Sequence, residues 1–527
     1  MQNIAIVIVI LCVVTALAEL TDKIRIPYPI LLVLAGIAIG LFPGLPHIEL
    51  EPELVFLVFL PPILYAAAWT TSWPDFKAAK RPITLLAIGC VIFTTCLVAI
   101  VAHHFIHELT WAEAFVLGAI ISPPDAVAAT AATKGAGLPR RVITILEGES
   151  LVNDATGLIA YRYAVAAITT GVFNVWSAGA QFLVVASGGI ALGLFIGWLF
   201  TWIHRITPDN PTTDTTLTFI TPYIAYLAGE YLHVSGVLSV VTAGLFLSWN
   251  SSEIFSQQLR LQATGTWNTV IFVLNGLIFI LIGLQLPYIL ESIEAASFVT
   301  LLAYGGIVSL ATIVGRIIWV YPGAFIPRLN KKIRDSEPGT NIRLVTIVAW
   351  SGMRGVVSLA AALALPLALS NGETFHNRGL IIFLTFCVIF ATLVLQGLTL
   401  RPLIRWLGIK PDAKERQDEM EIRLKIASAI IEHIEENYSI ALSDEVLNQI
   451  KTKYEIRIQR IRKDQRERLQ EAEIIEFHRI QEELLKKERH YVLQLRKEGK
   501  ISDEVMRRIE YELDLEETRL ILEKDSY

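Results

Sequence analysis

Long apolar runs separated by short polar loops fill the chain from its start to about residue 410. Each run has roughly 15 to 25 residues, the length that an α-helix needs to cross a bilayer. Only helices and closed barrels satisfy their backbone hydrogen bonds inside lipid, and these runs have the length of helices. We therefore predict an all-α polytopic membrane protein with about 13 transmembrane helices. They lie near residues 4–18, 29–42, 53–69, 82–104, 111–132, 142–169, 175–204, 214–232, 234–249, 266–286, 297–320, 342–369 and 379–407.

The composition changes abruptly after Lys410. Hydrophobic residues make up 53% of the whole chain, yet residues 411–527 alternate charged and apolar side chains at helical spacing. We predict a transmembrane domain over residues 1–410 and a charged helical cytoplasmic tail over residues 411–527. Two hypotheses for the tail stay open, a solvated helical appendage and a module for dimerisation or regulation, because its apolar spacing does not keep a strict heptad for long.

Basic residues of the loops indicate the orientation of the helices. Lys77, Lys80 and Arg81 follow the third run, Arg140 and Arg141 follow the fifth, and further basic residues recur in alternate loops down to the tail. The intervening loops carry almost none. Under the positive-inside rule the basic loops are cytoplasmic. We therefore predict a multi-pass protein of the cell membrane, with its N-terminus outside and its tail in the cytoplasm.

Two of the predicted spans contain helix-breaking residues at their centres. The fifth has Pro123 and Pro124, which lack amide donors, directly before Asp125. The twelfth has Gly352 and Gly355 within the segment SGMRG. Being seven spans apart, the two cross the membrane in opposite directions. Interrupted helices in two oppositely oriented halves are typical of inverted-repeat transporters with a site near the midplane.

Polar residues of the sixth span suit ion binding. Asp154 lies within an apolar run, where a charged side chain costs about 3 kcal/mol or more unless it has a partner or a function. Ser150, Asn153 and Asp154 are spaced i, i+3 and i+4, so they share one helical face. Their oxygens are hard ligands suited to Na⁺ or K⁺, and a proton competes for the same carboxylate. With Asp125, they form our candidate site for ion binding and proton exchange.

Each aspartate also has a structural interpretation. Asp154 could hydrogen-bond neighbouring helices and have no further role. Asp125 could cap the amides that the broken fifth helix exposes.

Other charges within the apolar runs also need partners. We predict that Glu149 in the sixth span pairs with Arg354 in the twelfth, which would make both charges tolerable and tie the two halves together. That role is structural. For Arg162 two roles stay open, an influence on the proton affinity of Asp154 and packing near the outer interface. The roles of Glu230 and Arg316 are equally open.

Four motifs together resemble a known family. FLPPILYAAAW, GAIISPPDAVAA, LEGESLVNDATGL and SGMRGVVSLAAALALP occur in this order, and the set resembles the monovalent cation/proton antiporter-1 family, the bacterial antiporters of the NhaP and sodium/hydrogen-exchanger type. The resemblance covers the whole membrane domain. It implies an NhaA-type inverted repeat with crossed broken helices, a homodimer, and electroneutral exchange of one cation for one proton, associated with Asn153 and Asp154. It assigns Asp154 and Ser150 to cation binding and Asp125 to the crossover.

The same resemblance makes Glu149 and Arg354 a structural ion pair. Two positions depart from the family pattern. Pro124 stands where relatives often have threonine, and Ala66 stands where many have an acidic residue. Both departures remove an oxygen near the expected ion, so the choice among Na⁺, K⁺ and Li⁺ is left open.

We predict a secondary active antiporter that exchanges a monovalent cation, Na⁺ or else K⁺ or Li⁺, for H⁺ and serves pH and cation homeostasis. Its partners would be these two ions, membrane lipid and a second copy of the chain; we expect no enzymatic activity, cofactor, resident metal or nucleic acid. An intramembrane aspartyl protease also needs two membrane carboxylates, but the chain lacks the Tyr-Asp and Gly-x-Gly-Asp pairs of that class. A cation channel is a third class, which would conduct without proton coupling.

Overall fold

The structure is a computed structural model, and it forms two compact units, Met1–Pro411 and Asp412–Tyr527. It describes residues 2–24, 26–42, 51–133, 137–170, 175–207, 210–291, 297–331, 334, 339, 341–367, 375–409, 413–438, 451–452, 454–455, 458, 471–498 and 503–525.

Helices make up nearly all of the described part of the first unit. The longer ones, in chain order, are α1 (Gln2–Ile24), α2 (Tyr28–Gly40), α3 (Pro52–Thr70), α4 (Lys80–Phe105), α5a (Trp111–Ile121), α5b (Ala126–Thr133), α6 (Arg140–Thr170), α7 (Val175–Ile206), α8 (Pro211–Tyr231), α9 (Gly236–Ile254), α10 (Gln257–Leu284), α11 (Phe298–Phe325), α12a (Ile342–Trp350), α12b (Val356–Leu363) and α13 (Arg378–Trp406). Two short helices, Trp73–Ala78 and Leu286–Glu291, lie between them.

Each predicted apolar run falls on one of these helices, and the fifth and twelfth runs fall on the two split pairs. Among the described residues, six helices are long and apolar enough to cross a membrane on length and composition alone, namely α3, α4, α7, α10, α11 and α13. The all-helical, multi-pass character of the chain follows. The total of thirteen spans stays a prediction.

The chain leaves the helical conformation at both predicted breaks. After α5a ends at Ile121, residues 122–125 leave the helical conformation, and α5b begins at Ala126. After α12a ends at Trp350, residues 351–355 are non-helical until α12b begins at Val356. Prolines cause the first break because they cannot donate the helical hydrogen bond, and paired glycines weaken the second.

A second pair of prolines distorts α3 without breaking it. Pro61 and Pro62 have no amide hydrogen for the carbonyls of Leu57 and Val58, four residues earlier. The helix widens to a π turn over residues 55–59, which contain these carbonyls. The hydroxyl of Tyr223 in α8 donates to the carbonyl of Val58 at 3.4 Å, a long hydrogen bond that helps to satisfy it.

Buried apolar side chains form two clusters in the first unit. The larger joins α4, α5a, α11, α12b and α13 with parts of α1, α2 and α10; the smaller joins α3, α7, α8 and α9 with the start of α10. Helix α6 belongs to both, because Leu146 packs in the larger cluster while Leu151 and Ala155 pack in the smaller one. The helix that carries Asp154 therefore lies between the two packing groups.

The second unit contains three long helices in its described parts, α14 (Ala413–Tyr438), α15 (Glu471–Lys497) and α16 (Asp503–Asp525). Buried Leu485 and Val492 of α15 pack with Met506 and Leu513 of α16. The guanidinium of Arg489 also donates to Asp514 at 2.5 Å, and the side chains are 29% and 60% exposed. Helices α15 and α16 therefore form a packed pair with charged outer faces, as the spacing of apolar residues predicts.

Helices α2 and α10 approach each other closely through glycine. A Cβ atom on Gly283 of α10 would overlap the carbonyl oxygen of Val33 in α2 and would lie 2.8 Å from the Cα atom of Gly36. These neighbours are backbone atoms, which cannot rotate away. Small residues let membrane helices pack at short distance and gain van der Waals contact, and that is their role here.

We predict that Gly283→Ala destabilises the membrane unit by about 1–3 kcal/mol through overpacking. The matched control is Gly265→Ala in the same helix, because no atom lies within 4 Å of a Cβ at that position. Thermal unfolding of the detergent-solubilised protein, followed by tryptophan fluorescence, should show a lower midpoint for Gly283→Ala and an unchanged or higher midpoint for the control. Equal shifts in both would contradict the close approach.

Candidate ion-binding site

The two helix breaks meet inside the first unit. The backbone amide of Asp125 donates to the carbonyl of Met353 at 2.7 Å, so the break in the fifth run is hydrogen-bonded to the break in the twelfth. A Cβ atom on Gly355 would overlap the carboxylate of Asp125, which explains why glycine stands there. The sequence prediction that Pro123, Pro124, Gly352 and Gly355 mark two broken helices therefore agrees with the geometry, and the breaks contact each other.

Asp125 caps the second half of its own broken helix. Its Oδ1 accepts a hydrogen bond of 2.7 Å from the amide of Val127. An acceptor at this position satisfies an exposed amide, and its negative charge lies at the positive end of the helix dipole. The structural interpretation of Asp125 is thus supported by geometry, and it leaves the second oxygen, which faces Gly355, for other contacts.

Asn153 ties α6 to the same crossing. Its side chain is fully buried, and its Nδ2 donates to the carbonyl of Pro124 at 2.8 Å. Its Oδ1 is also buried but has no hydrogen-bond partner among the described residues. Leaving such an acceptor unsatisfied costs about 1–3 kcal/mol, so this oxygen is suited to a ligand that the crossing would hold.

Asp154 follows directly and is also buried, with 7% of its surface exposed. Within the described part of the chain, no group donates a hydrogen bond to its carboxylate and no cation pairs with it. Close packing brings α6 to the break, since a Cβ on Gly157, one turn later, would lie 2.8 Å from the Pro123 ring. Asp154 is therefore a buried carboxylate held against the crossing without a fixed counter-charge.

Ser150 lies one turn before Asp154 and is half-buried. Its spacing places it on the helical face of Asp154. The crossing thus gathers Asp125, Asn153 and Asp154, while the part of Ser150 in the site stays a prediction.

The predicted ion pair of Glu149 with Arg354 is wrong. The carboxylate of Glu149 accepts two hydrogen bonds from the guanidinium of Arg316 in α11, at 2.5 and 2.8 Å, and both side chains are buried. Arg316 also donates to the carbonyl of Val348 at 3.0 Å. The planar guanidinium matches the carboxylate in this bidentate geometry. Arg316 is the partner because the packing of the helices places its guanidinium, and not that of Arg354, at Glu149.

Arg354 instead hydrogen-bonds backbone carbonyls at both helix breaks. Its Nε donates to the carbonyl of Ile121 at 2.9 Å, its Nη2 donates to Ser122 at 3.2 Å, and its Nη1 donates to the carbonyl of Gly352. Carbonyls at the C-terminal ends of broken helices have no helical partner and carry partial negative charge. A buried guanidinium with five donors satisfies several of them at once. Arg354 therefore holds the ends of α5a and α12a together.

Sequence reasoning could have found Arg316 by one signal. It is an arginine within an apolar run, and every such cation needs an acceptor at the same depth. Both Arg316 and Arg354 meet this requirement, and the sequence does not say which helix is the neighbour of α6, so the pairing predicted with Arg354 is wrong.

These features define a polytopic membrane protein in which the carboxylates of Asp125 and Asp154 lie where two broken helices meet. Residues 7–406 match the transmembrane family of sodium/hydrogen exchangers. The chain belongs to the sodium/hydrogen exchanger family.

Relatives extend this assignment. The chain is 33% identical over 416 residues to the sodium, potassium, lithium and rubidium/H⁺ antiporter of Bacillus pumilus, a match that covers 77% of this chain and 60% of that protein. It therefore spans only about three fifths of that relative. YjcE of Escherichia coli, named as an uncharacterized Na⁺/H⁺ exchanger, is 31% identical over 545 residues, covering 98% of both chains.

A solved structure has the same fold. The sodium proton antiporter MjNhaP1 from Methanocaldococcus jannaschii at pH 8 is 19% identical, with a TM-score of 0.61, and the match covers 77% of this chain and 99% of that one. The all-helical architecture of the first unit thus resembles the NhaP antiporter fold.

We predict energetic coupling between Glu149 and Arg316. Removing one partner of a buried pair leaves the other charge uncompensated and costs about 3–5 kcal/mol. Glu149→Gln and Arg316→Gln should therefore each lower the thermal midpoint strongly. The loss of unfolding free energy in the double variant should be much smaller than the sum of the losses in the two single variants.

The matched control is the cycle of Glu149→Gln with Arg354→Gln. Because Arg354 bonds to backbone carbonyls, we expect that cycle to be close to additive. If Glu149 proved strongly coupled to Arg354 while its cycle with Arg316 was additive, the pair of Glu149 with Arg354 that the sequence predicts would be correct.

Proposed function

We propose that the chain is a secondary active antiporter that exchanges a monovalent cation for H⁺ across the cell membrane. The observation that carries the proposal is the buried Asp154 carboxylate without a fixed counter-charge, next to the unpartnered Oδ1 of Asn153 at the crossing of two broken helices. A buried carboxylate is costly as a free ion. Binding either a cation or a proton removes that cost.

Competition for one carboxylate gives the exchange. When a cation binds, Asp154 must be ionised, and the oxygens of Asn153, Ser150 and Asp125 complete a shell of hard ligands with water. When a proton binds, the cation loses its charged ligand and leaves. Because the two loaded forms exclude each other, a protein that exposes the site alternately to each side moves one ion in each direction.

The candidate cations are Na⁺, K⁺ and Li⁺. Antiporters of Na⁺, K⁺, Li⁺ and Rb⁺ are found among the named relatives, which supports a monovalent cation without selecting one. Pro124 and Ala66 offer no side-chain oxygen, so the shell depends more on Asn153 and on water.

Orientation, span number and assembly are part of the proposal. Thirteen spans in two inverted repeats, with the N-terminus outside and the tail of residues 411–527 in the cytoplasm, agree with the basic loops and with the two split helices. A homodimer is expected from the family resemblance.

We predict that Asp154→Asn abolishes exchange while the protein stays folded. The amide cannot take up and release a proton during transport, and it offers no negative charge to the cation. Everted vesicles loaded with a pH-sensitive dye report exchange as dequenching after addition of Na⁺, K⁺ or Li⁺. Asp75→Asn is the control, since Asp75 forms an exposed pair with Arg140 at 3.4 Å, away from the crossing. Cation-driven proton flux that persists in Asp154→Asn would overturn the assignment.

Transport should also be electroneutral. If Asp154 alone cycles both ions, one monovalent cation replaces one proton and no net charge moves. We expect the exchange rate in proteoliposomes to be unchanged by a potassium diffusion potential of either sign, measured with Na⁺ as the transported ion. A current that follows the Na⁺ gradient would show that Asp125 cycles a second proton.

A further inference from the structure

A cavity of about 90 Å³ lies among α3, α6, α8 and α9. Its wall includes Phe56 of the π turn in α3, Tyr226 of α8 and Val237 of α9. On α6 it reaches Ala155, the residue that follows Asp154. A single water needs about 10–15 Å³ of such space, so the cavity has room for several waters or a partly hydrated cation.

An ion pair lies at the other end of this cavity. One guanidinium nitrogen of Arg162 in α6 donates to both carboxylate oxygens of Glu230 in α8, at 2.8 and 3.0 Å. Both residues line the cavity. Arg162 is eight residues beyond Asp154, or about 12 Å along the helix, and Glu230 lies in the last turn of α8. The pair therefore lies nearer to the ends of α6 and α8 than the part of the cavity that reaches Ala155 does.

The pair also connects the two packing groups. Near Arg162, α6 packs through Ala164 into the larger cluster, whereas α8 packs through Ala225 and Tyr226 into the smaller one. A relative movement of the two clusters would change the distance between Arg162 and Glu230. Their side chains are 54% and 35% exposed, so water replaces the pair at little cost when it opens.

We propose that Arg162 and Glu230 form the outer gate of the ion pathway, closed by their ion pair and opened in each exchange cycle. The inference rests on the proposed antiport and adds the two residues that control access from the outer side. Closing the gate holds the outer ends of α6 and α8 together and shuts the cavity that reaches Ala155, the residue after Asp154. Opening it admits a hydrated cation to the carboxylate.

The test is a reversible cross-link across the gate. In Arg162→Cys/Glu230→Cys, a bifunctional thiol reagent with a spacer that matches the two original side chains would join α6 to α8. We expect exchange in proteoliposomes to fall at least tenfold on cross-linking and to return after reduction, because the gate can no longer open. Mass spectrometry gives the cross-linked fraction, and the native chain with its four cysteines gives the background of the reagent.

The matched control is Arg205→Cys/Glu253→Cys. Arg205 of α7 and Glu253 of α9 also form an exposed pair, at 3.8 Å, but both helices pack in the smaller cluster and are expected to move together. Cross-linking this control should leave exchange within twofold of the uncross-linked rate. Retained exchange in the fully cross-linked gate variant overturns the gate alone. Absence of exchange in the native chain overturns the proposed function and the gate with it.

A second measurement separates a gate from a structural tie. Glu230→Gln and Arg162→Gln should shift the population towards the form open on the outer side. The cation concentration for half-maximal exchange should then fall at least twofold when cation is supplied from outside, in cells, and rise when it is supplied from the cytoplasmic side, in everted vesicles. The charge-swapped Arg162→Glu/Glu230→Arg should restore both values. An equal change at both faces would mean that the pair only ties the helices together.

Discussion

The cost of placing charge and unpaired backbone groups inside a bilayer is the constraint on which this structure depends. Breaking two helices at mid-membrane exposes amides and carbonyls that lipid cannot satisfy. Several of these groups have hydrogen-bond partners within the chain. The carboxylate of Asp125 accepts from an exposed amide, and the guanidinium of Arg354 donates to exposed carbonyls of both breaks. A direct bond between Asp125 and Met353 joins the breaks themselves.

That arrangement also explains the small residues at the crossing. Gly355 leaves room for the carboxylate of Asp125, and Gly157 leaves room for the ring of Pro123. With larger side chains, the broken helices would separate from each other and from α6. The amide of Asn153 could then no longer reach the carbonyl of Pro124, and Asp154 would lose its place beside the crossing. Close packing thus fixes the positions of Asn153 and Asp154 relative to the crossing.

Much of this was predictable from sequence, and the limit is a physical one. The breaks follow from local rules, since Pro123 and Pro124 lack donors wherever they are placed. The shared face of Asn153 and Asp154 follows from helical periodicity. The partner of Glu149 does not, because a contact between α6 and α11 depends on how distant helices pack. The hydrogen bond from the hydroxyl of Tyr223 to the carbonyl of Val58 could not be predicted for the same reason.

The ion pairs of the membrane unit differ in strength according to where they lie. Glu149 and Arg316 are almost fully buried, and separating them would cost several kcal/mol, on the order of 3–5. Such a cost in each cycle would slow transport greatly, because about 1.4 kcal/mol changes a rate tenfold. This pair must therefore stay closed, and it fixes α11 to α6 within the larger cluster.

Arg162 and Glu230 are half-exposed, and a pair of this kind contributes about 1 kcal/mol or less. It can open and close within a transport cycle without dominating the barrier. The boundary between the two packing clusters passes along α6. The pair of Glu149 with Arg316 lies on the side of the larger cluster, whereas the pair of Arg162 with Glu230 connects the two clusters. A movement at that boundary would therefore leave the site at the crossing intact and change only the access to Asp154.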